Sequence, residues 1–305
     1  MDYQSILSDC YERFKNIEAG ELASYIPELA KANREHFALA LIDQRGNMYS
    51  IGDTDVRFSI QSVSKPFTYA YALKEFGEAK VLGKVGVEPT GEAFNSIIEL
   101  EKKTHRPFNP MINSGAIAIS DLIFEHHSDG AFQTLLSFFS EMAQSSLKIN
   151  EAIYHSEKET AHRNRAIAHL MLHFNSVSPS IEKSLDLYFR QCSIELNVTE
   201  LCRMAACFSS AHPHSPQSSF FSDEIKQKVL SIMFTCGMYD TSGNWAYQSG
   251  LPAKSGVSGA MMAISPGKMV IAAFSPLIDQ HGHSVRAEAA IKYLSQKCHL
   301  SIFNP

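Results

Sequence analysis

No Cys-x-x-Cys pair occurs in this 305-residue chain. Its six cysteines, Cys10, Cys192, Cys202, Cys207, Cys236 and Cys298, are spread thinly, and none has a zinc-site spacing with a histidine. A disulfide framework and a zinc module are therefore not what organises it; buried thiols in a reducing compartment are expected. Long apolar runs are missing too. Stretches such as Met269 to Phe274 fall far short of the roughly 20 residues that span a bilayer. Basic charge is in deficit, with 27 Lys and Arg against 32 Asp and Glu and a net charge of -5. That leaves no electrostatic footprint for DNA or RNA. Met1-Asp2-Tyr3-Gln4 has neither a basic nor an apolar signal region, so a soluble cytoplasmic protein is expected. Three histidine pairs, His126-His127, His212-x-His214 and His281-x-His283, sit in polar, turn-like stretches without carboxylates arranged as ligands. Surface histidines, not a metal site, are the reading.

What is present is an ordinary globular composition, 45% apolar and 19% charged, on a chain long enough for one or two domains. Ile6 to Lys31 has helical spacing broken near Gly20. Phe37 to Ile42 and Met48 to Gly52 flank a polar turn and read as a hairpin, with Phe58 to Ile60 as a third short strand. Helical periodicity then dominates, with candidate helices near 67–76, 113–127, 131–144, 161–174, 182–192 and 199–209. Ser209 to Ser219 is a polar loop. A helix near 222–235 follows, then two apolar segments, 260–264 and 268–274, split by Ser265-Pro266-Gly267, and a last helix, 284–298. Strands at both ends most simply join one antiparallel sheet, with the helical block inserted between them. A cleft between the two parts is a usual place for a ligand.

Ser62-Val63-Ser64-Lys65 stands at that junction, where an apolar strand runs into an apolar helix. Serine and lysine three apart on a first helical turn point the same way. A hydroxyl needs a base beside it to act as a nucleophile, and a lysine made neutral by burial can be that base. The same spacing recurs at Ser145/Lys148, Ser180/Lys183 and Ser265/Lys268, which read as a polar link, a helix N-cap and a turn. Only Ser62 has the strand-to-helix context used by penicillin-binding enzymes. An N-capping serine with a solvated lysine is the plain alternative.

Other segments carry candidate chemistry. Asn113 either caps the helix that follows or offers its amide to an amino-acid carboxylate. Glu157 and Asn164 flank a charge-rich segment, 156–165, otherwise a solvated helix start. Tyr239 lies in a turn-rich stretch and is either exposed or aimed into a cleft. Lys254-Ser255-Gly256 matches the lysine-hydroxyl-glycine strand that accompanies Ser-x-x-Lys, and Gly256 and Gly259 allow a ligand close to the backbone.

Taken together, the blocks Ala23 to Leu29, Gln61 to Pro66, Glu88 to Gly91, Asn109 to Asn113, Ser156-Glu157, Arg163-Asn164, Leu185 to Phe189, Cys236 to Asp240 and Leu251 to Val257 resemble the serine-dependent glutaminases over nearly the whole chain. The resemblance implies an α+β, serine β-lactamase-like fold: an antiparallel sheet flanked by helices, with an inserted all-helical subdomain. Residues 1–65 and 217–305 would form the sheet part and 66–216 the helical part. It implies hydrolysis of the side-chain amide of L-glutamine to L-glutamate and ammonia, with no cofactor, and a homodimer or homotetramer. Ser62 would be the nucleophile, Lys65 the base and Tyr239 its relay partner. Backbone N–H groups of Ser62 and Val257 would form the oxyanion hole. Tyr25, Asn113, Glu157, Asn164 and Tyr188 would bind substrate, with Glu157, the one acid, facing the α-ammonium. After Ala205-Ala206-Cys207-Phe208 the chain departs from the family's usual Asn-Gly-Gly turn, and Ser114 stands where alanine is common. A penicillin-recognising serine hydrolase, or an amino-acid-binding module without catalysis, are the competing functions for the same residues.

Overall fold

A computed structural model describes residues 1–91, 96, 100, 105–209 and 219–304. Its main sheet has five antiparallel strands. The hairpin β1 (Ala38–Asp43) and β2 (Met48–Gly52) pairs with the C-terminal trio β6 (Ala253–Ser255), β7 (Ala260–Ser265) and β8 (Met269–Phe274), in the order β2-β1-β8-β7-β6. β1 pairs β8 with Ala40 opposite Ala272 and Leu41 opposite Ile271. Every residue of β1, β7 and β8 is buried. The reason is that both faces are covered, so apart from the terminal Asp43 and Ser265 these strands read as apolar runs without alternation. One face (Leu39, Leu41, Met261, Ile271) packs with α1 (Tyr3–Phe14) and α12 (Val285–Lys297). The opposite face (Ala40, Ile42, Met262, Val270) packs with α9 (Val198–Ala206), where Cys202 Sγ meets Val270 O at 3.8 Å. The expected antiparallel sheet joining the two ends of the chain is present.

Three expectations need correction. β3 (Phe58–Ser59) does not join that sheet: it pairs with β5 (Ile194–Leu196), which also pairs with β4 (Lys148–Ile149). The turn after it leads from this small sheet into α2 (Lys65–Phe76). Helical spacing from Ile6 ends as α-helix at Phe14; the chain then continues through a bridge from Glu21 to Ile278 and a short 3-10 turn, Leu29–Lys31. The buried Arg286 holds that stretch: Nε donates to Ile17 O at 2.7 Å and Nη1 to Arg34 O at 3.0 Å. Asn113 is not a cap: it opens α4 (Asn113–His127) and its side chain makes no capping bond.

Between the end strands the other helices are α3 (Glu78–Lys84), α5 (Ala131–Ala143), α6 (Glu151–Thr160), α7 (His162–His173), α8 (Ile181–Cys192) and, later, α10 (Asp223–Cys236) and α11 (Ser242–Ser249). α6 replaces the polar segment expected before residue 161, with its start fixed by Asn150 accepting from Ile153 N. α4 is buried along most of its length and crosses α2, α7 and α8. Asp121 on α4 is tied to α8 by Ser184 Oγ at 2.8 Å and to the loop before it by Ser178 Oγ at 2.6 Å. Ser180 stands at the N-cap position of α8 without a side-chain bond. Lys268 N donates to Ser265 O at 3.0 Å, closing the expected turn between β7 and β8. His212, His214 and most of the polar loop lie outside the described residues. Among the described residues no helix is long and apolar enough to cross a membrane.

Candidate active site

A short 3-10 turn, Gln61–Ser64, joins β3 to α2 and carries Ser62. Ile60 N donates to Ile194 O at 2.8 Å, which anchors its entry, and Pro66 early in α2 fixes its exit. Gln61 itself has φ +46, in the left-handed region that non-glycine residues rarely occupy. Such a conformation costs on the order of 1–3 kcal/mol and persists only where surroundings hold it. Here Ser64 Oγ donates to Gln61 O at 2.7 Å, and Gln191 Nε2 on α8 donates to Ser64 Oγ at 2.8 Å.

Lys65, 1% exposed, begins α2. Its Nζ donates to Met111 O at 3.2 Å and to Asn113 Oδ1 at 2.7 Å. The Met111 carbonyl is itself set by the buried Asn109, whose Oδ1 accepts from Met111 N at 3.0 Å. Gly115 allows that packing: a Cβ there would lie 1.9 Å from Asn109 O. Burial pushes the Lys65 pKa down to about 8, against smaller opposing effects of Cys192 and Glu157.

Tyr239 closes the other side. It sits in a 3-10 turn, Tyr239–Thr241, with φ +53. Its hydroxyl donates to Ser255 O at 3.2 Å and is hydrogen-bonded to Ser62. Burial raises its pKa to about 12, so it stands as a neutral phenol able to accept from one neighbour and donate to another. Lys254 is fully buried on β6, its Nζ 2.7 Å from Ser255 O and 3.9 Å from the Tyr239 ring centre. Burial first, and then Lys65, push its pKa well below the usual lysine value. Gly256 follows this strand against the Ser62 turn: an added Cβ would lie 3.1 Å from Val63 Cγ2 and 3.2 Å from Ile60 O. The buried Val257 follows directly.

Asn113, Glu157, Asn164 and Tyr25 line one cavity of about 200 Å³, with Thr160 and Ala161 between them. Asn113 Nδ2 donates to Asn164 Oδ1 at 2.9 Å, and Tyr188 Oη donates to Asn113 Oδ1 at 3.3 Å. Asn113 thus couples the cavity to Lys65. Tyr25 stands at the mouth, 52% exposed, with Glu28 N bound to Ser156 Oγ close by. Glu157 is 4% exposed and accepts from Gln61 Nε2 at 3.2 Å. Burial raises its pKa to about 7, with Gln61 and Lys65 pulling the other way. A buried carboxylate and a buried lysine, each shifted toward neutrality by burial, are groups with the capacity to bind a cation and to take a proton from a hydroxyl.

All the expected residues therefore gather around one place: Ser62, Lys65, Tyr239 and Val257 at the turn, and Tyr25, Asn113, Glu157, Asn164 and Tyr188 beside it. Missing from the sequence reading were Gln61, Asn109 and Gln191. The block Gln61 to Pro66 contained the first without assigning it a contact. The expectation of surface histidines fails at His283, which is 1% exposed and bonded to Ser255 Oγ at 2.7 Å. Its partners lie far away in sequence, and no local signal marks such burial.

The chain matches the family model described as Glutaminase over residues 20–303. It is 43% identical over 301 residues to a glutaminase of Trichormus variabilis, covering 98% of this chain and 90% of that one. The solved structure of a probable glutaminase, ybaS, superposes with a TM-score of 0.94 at 36% identity, covering 99% of this chain and 98% of that one. A structure described as Mglu in its glutamate form gives 0.93 at 34% identity, covering 100% and 70%. The fold is accordingly that of bacterial glutaminases, β-lactamase-like, with an antiparallel sheet flanked by helices.

Proposed function

The chain belongs to the glutaminase family, and from that premise we propose that it hydrolyses the side-chain amide of L-glutamine through a glutamyl-Ser62 ester. The observation that carries this reading is Lys65: a buried lysine with its pKa brought down to about 8, one helical turn after a buried serine.

Neutral Lys65 takes the Ser62 hydroxyl proton, with the Tyr239 hydroxyl as relay. Ser62 Oγ attacks the amide carbon, and the N–H groups of Ser62 and Val257 receive the oxyanion. The carbon–nitrogen bond breaks as the leaving nitrogen takes the proton from the Lys65 ammonium, and ammonia departs. A water then attacks the ester, giving its proton to Lys65. The proton returns to Ser62 Oγ, and glutamate leaves. Glu157 faces the substrate α-ammonium; Tyr25, Asn113, Asn164 and Tyr188 hold the α-carboxylate and the amide. What supports this division is that Glu157 is the one acid on the cavity that Tyr25, Asn113 and Asn164 share. Mglu, 34% identical, has been solved in a glutamate form, which agrees with an amino-acid product.

On this reading the reaction takes place in a cleft between a sheet part, residues 1–65 with 217–305, and a helical part, 66–216. The enzyme is cytoplasmic and a homodimer or homotetramer, which light scattering tests. The chemistry is tested by ammonia release from L-glutamine, with mass spectrometry of acid-quenched protein for a glutamyl adduct on the Ser62 peptide. Ammonia release with no adduct on that peptide under any quench would move the nucleophile elsewhere. Hydrolysis of nitrocefin without ammonia release would favour a penicillin-recognising hydrolase.

A further inference from the structure

His283 belongs to no part of the mechanism above, yet it is a buried titratable group touching two segments that carry it. Its ring stacks near Tyr239, with centres 5.4 Å apart at an interplanar angle of 13°. Nδ1 lies 2.7 Å from Ser255 Oγ and Nε2 lies 2.9 Å from Thr241 Oγ1. The hydrogen-bond inventory fixes the tautomer. Thr241 Oγ1 spends its one proton on Met238 O at 2.8 Å, so it accepts from His283 Nε2–H. Nδ1 of a neutral ring is then the acceptor, and Ser255 Oγ–H donates to it. Burial, opposed by Asp279, lowers the His283 pKa to about 4, which keeps the ring neutral. The loop aims the ring: Asp279 Oδ1 accepts from His283 N at 2.9 Å, and Asp279 N donates to His283 O at 2.8 Å.

We propose that His283 is a positioning residue for Tyr239, an imidazole strut whose two nitrogens lock the 239–241 turn to the Ser255 strand. The Ser255 carbonyl receives the Tyr239 hydroxyl, so where Ser255 stands decides where that hydroxyl meets Ser62. Tyr239 holds φ +53, a conformation that relaxes unless neighbours oppose it. His283 packs on its ring, and Lys254 contacts the same ring and Ser255 O. Misplacing a relay hydroxyl by about 1 Å is enough to slow turnover on the order of a hundredfold without touching substrate contacts.

The inference rests on the glutaminase reading with Tyr239 in the relay. Its test therefore starts from wild type releasing ammonia and Tyr239→Phe losing activity; failure there is a failure of that reading alone. His283→Ala should lower kcat by about ten- to a hundredfold and leave KM within about threefold. His283→Asn, whose amide oxygen can still accept from Ser255 Oγ, should recover most of that loss. Ser255→Ala keeps the carbonyl and removes the hydroxyl. It should reproduce the kcat loss, and the double variant with His283→Ala should be no worse than either alone. If His283→Ala does not fold, Ser255→Ala and His283→Asn carry the comparison. Nitrogen-15 NMR of the His283 ring should show the proton on Nε2. A kcat within threefold of wild type in folded His283→Ala or Ser255→Ala, losses that multiply in the double variant, or an Nδ1–H ring overturns the proposal.

Discussion

Gln61 Nε2 donates to Glu157 Oε2 at 3.2 Å, linking the residue beside Ser62 to the acid of the cavity lined by Tyr25, Asn113 and Asn164. A buried carboxylate that depends on a single amide donor is sensitive to its loss. Gln61 pulls the Glu157 pKa down against burial. Gln61→Leu removes that pull, so Glu157 holds its proton to higher pH. The KM for glutamine should rise by about tenfold at pH 7 and recover toward wild type near pH 8.5. An unchanged KM at both values would break the link.

Glu157→Gln keeps the size and removes the charge. A charge-assisted hydrogen bond in a closed pocket contributes about 1.5–3 kcal/mol, so kcat/KM should fall by roughly ten- to a hundredfold. Acetylating the glutamine α-amine should hurt the wild type far more than the variant, because both changes delete one interaction. Wild type that hydrolyses N-acetylglutamine as well as glutamine would refute the assignment. The Glu157 pKa of about 7 also sets a direction with pH: wild-type KM should rise as pH falls below 7.

Lys65 must be neutral to accept a proton, so kcat should climb with pH through about 8. Lys65→Arg should not restore it, since guanidinium stays protonated. A kcat flat from pH 6 to 9.5 in folded enzyme would rule lysine out as the base.

The same lysine has a stability consequence. Its unfolded pKa is the ordinary 10.5 and its folded value about 8. The unfolded chain holds the proton more tightly, so protonation favours unfolding, fully below pH 8 and not at all above 10.5. Lys65→Met should therefore melt higher than wild type at pH 7, by up to about 3 kcal/mol, while losing activity. The gain should shrink as pH rises from 8 toward 10.5. A variant that melts lower at pH 7 would mean that the bonds to Met111 O and Asn113 Oδ1 outweigh the burial of charge.

Ser62→Ala should fold and melt like wild type, because the turn is held by Ser64, Gln191 and Ile60, not by Ser62. Ammonia release should fall by at least about a thousandfold, roughly 4 kcal/mol of barrier. Residual activity within tenfold of wild type removes Ser62 from the nucleophile role.

The placement of Ser62 and Lys65 together was legible because it is local: spacing on one helical turn, flanked by a strand and an apolar helix. The strands of the main sheet were legible for a similar reason, since double burial makes β8 apolar throughout and β1 and β7 apolar up to their last residues, Asp43 and Ser265. What escaped is non-local. Nothing near His283 announces Ser255 and Thr241, and nothing near Gln61 announces Glu157. Phe58–Ser59 resembled a strand of the main sheet because a two-residue segment carries no register; its partner at Ile194–Leu196 decides its sheet. The run from Ile6 kept helical spacing past Phe14, but Arg286 takes up the carbonyls at Ile17 and Arg34, which pins an irregular path there.

β1 lies between β2, its neighbour in sequence, and β8, near the end of the chain. A ribosome making this protein releases one edge of β1 long before its second partner exists. Until the last strands emerge, Leu39, Leu41 and Ile42 face water with an open row of backbone donors and acceptors, a template for pairing with other chains. Gly256, which abuts the turn of Ser62, belongs to that late-made segment. A polypeptide that ends before β6 already contains Ser62 and Lys65 with the Ser64, Gln191, Met111 and Asn113 bonds that hold them, and what it lacks is the Ser255 carbonyl that receives the Tyr239 hydroxyl and the Val257 N–H that the proposed mechanism needs.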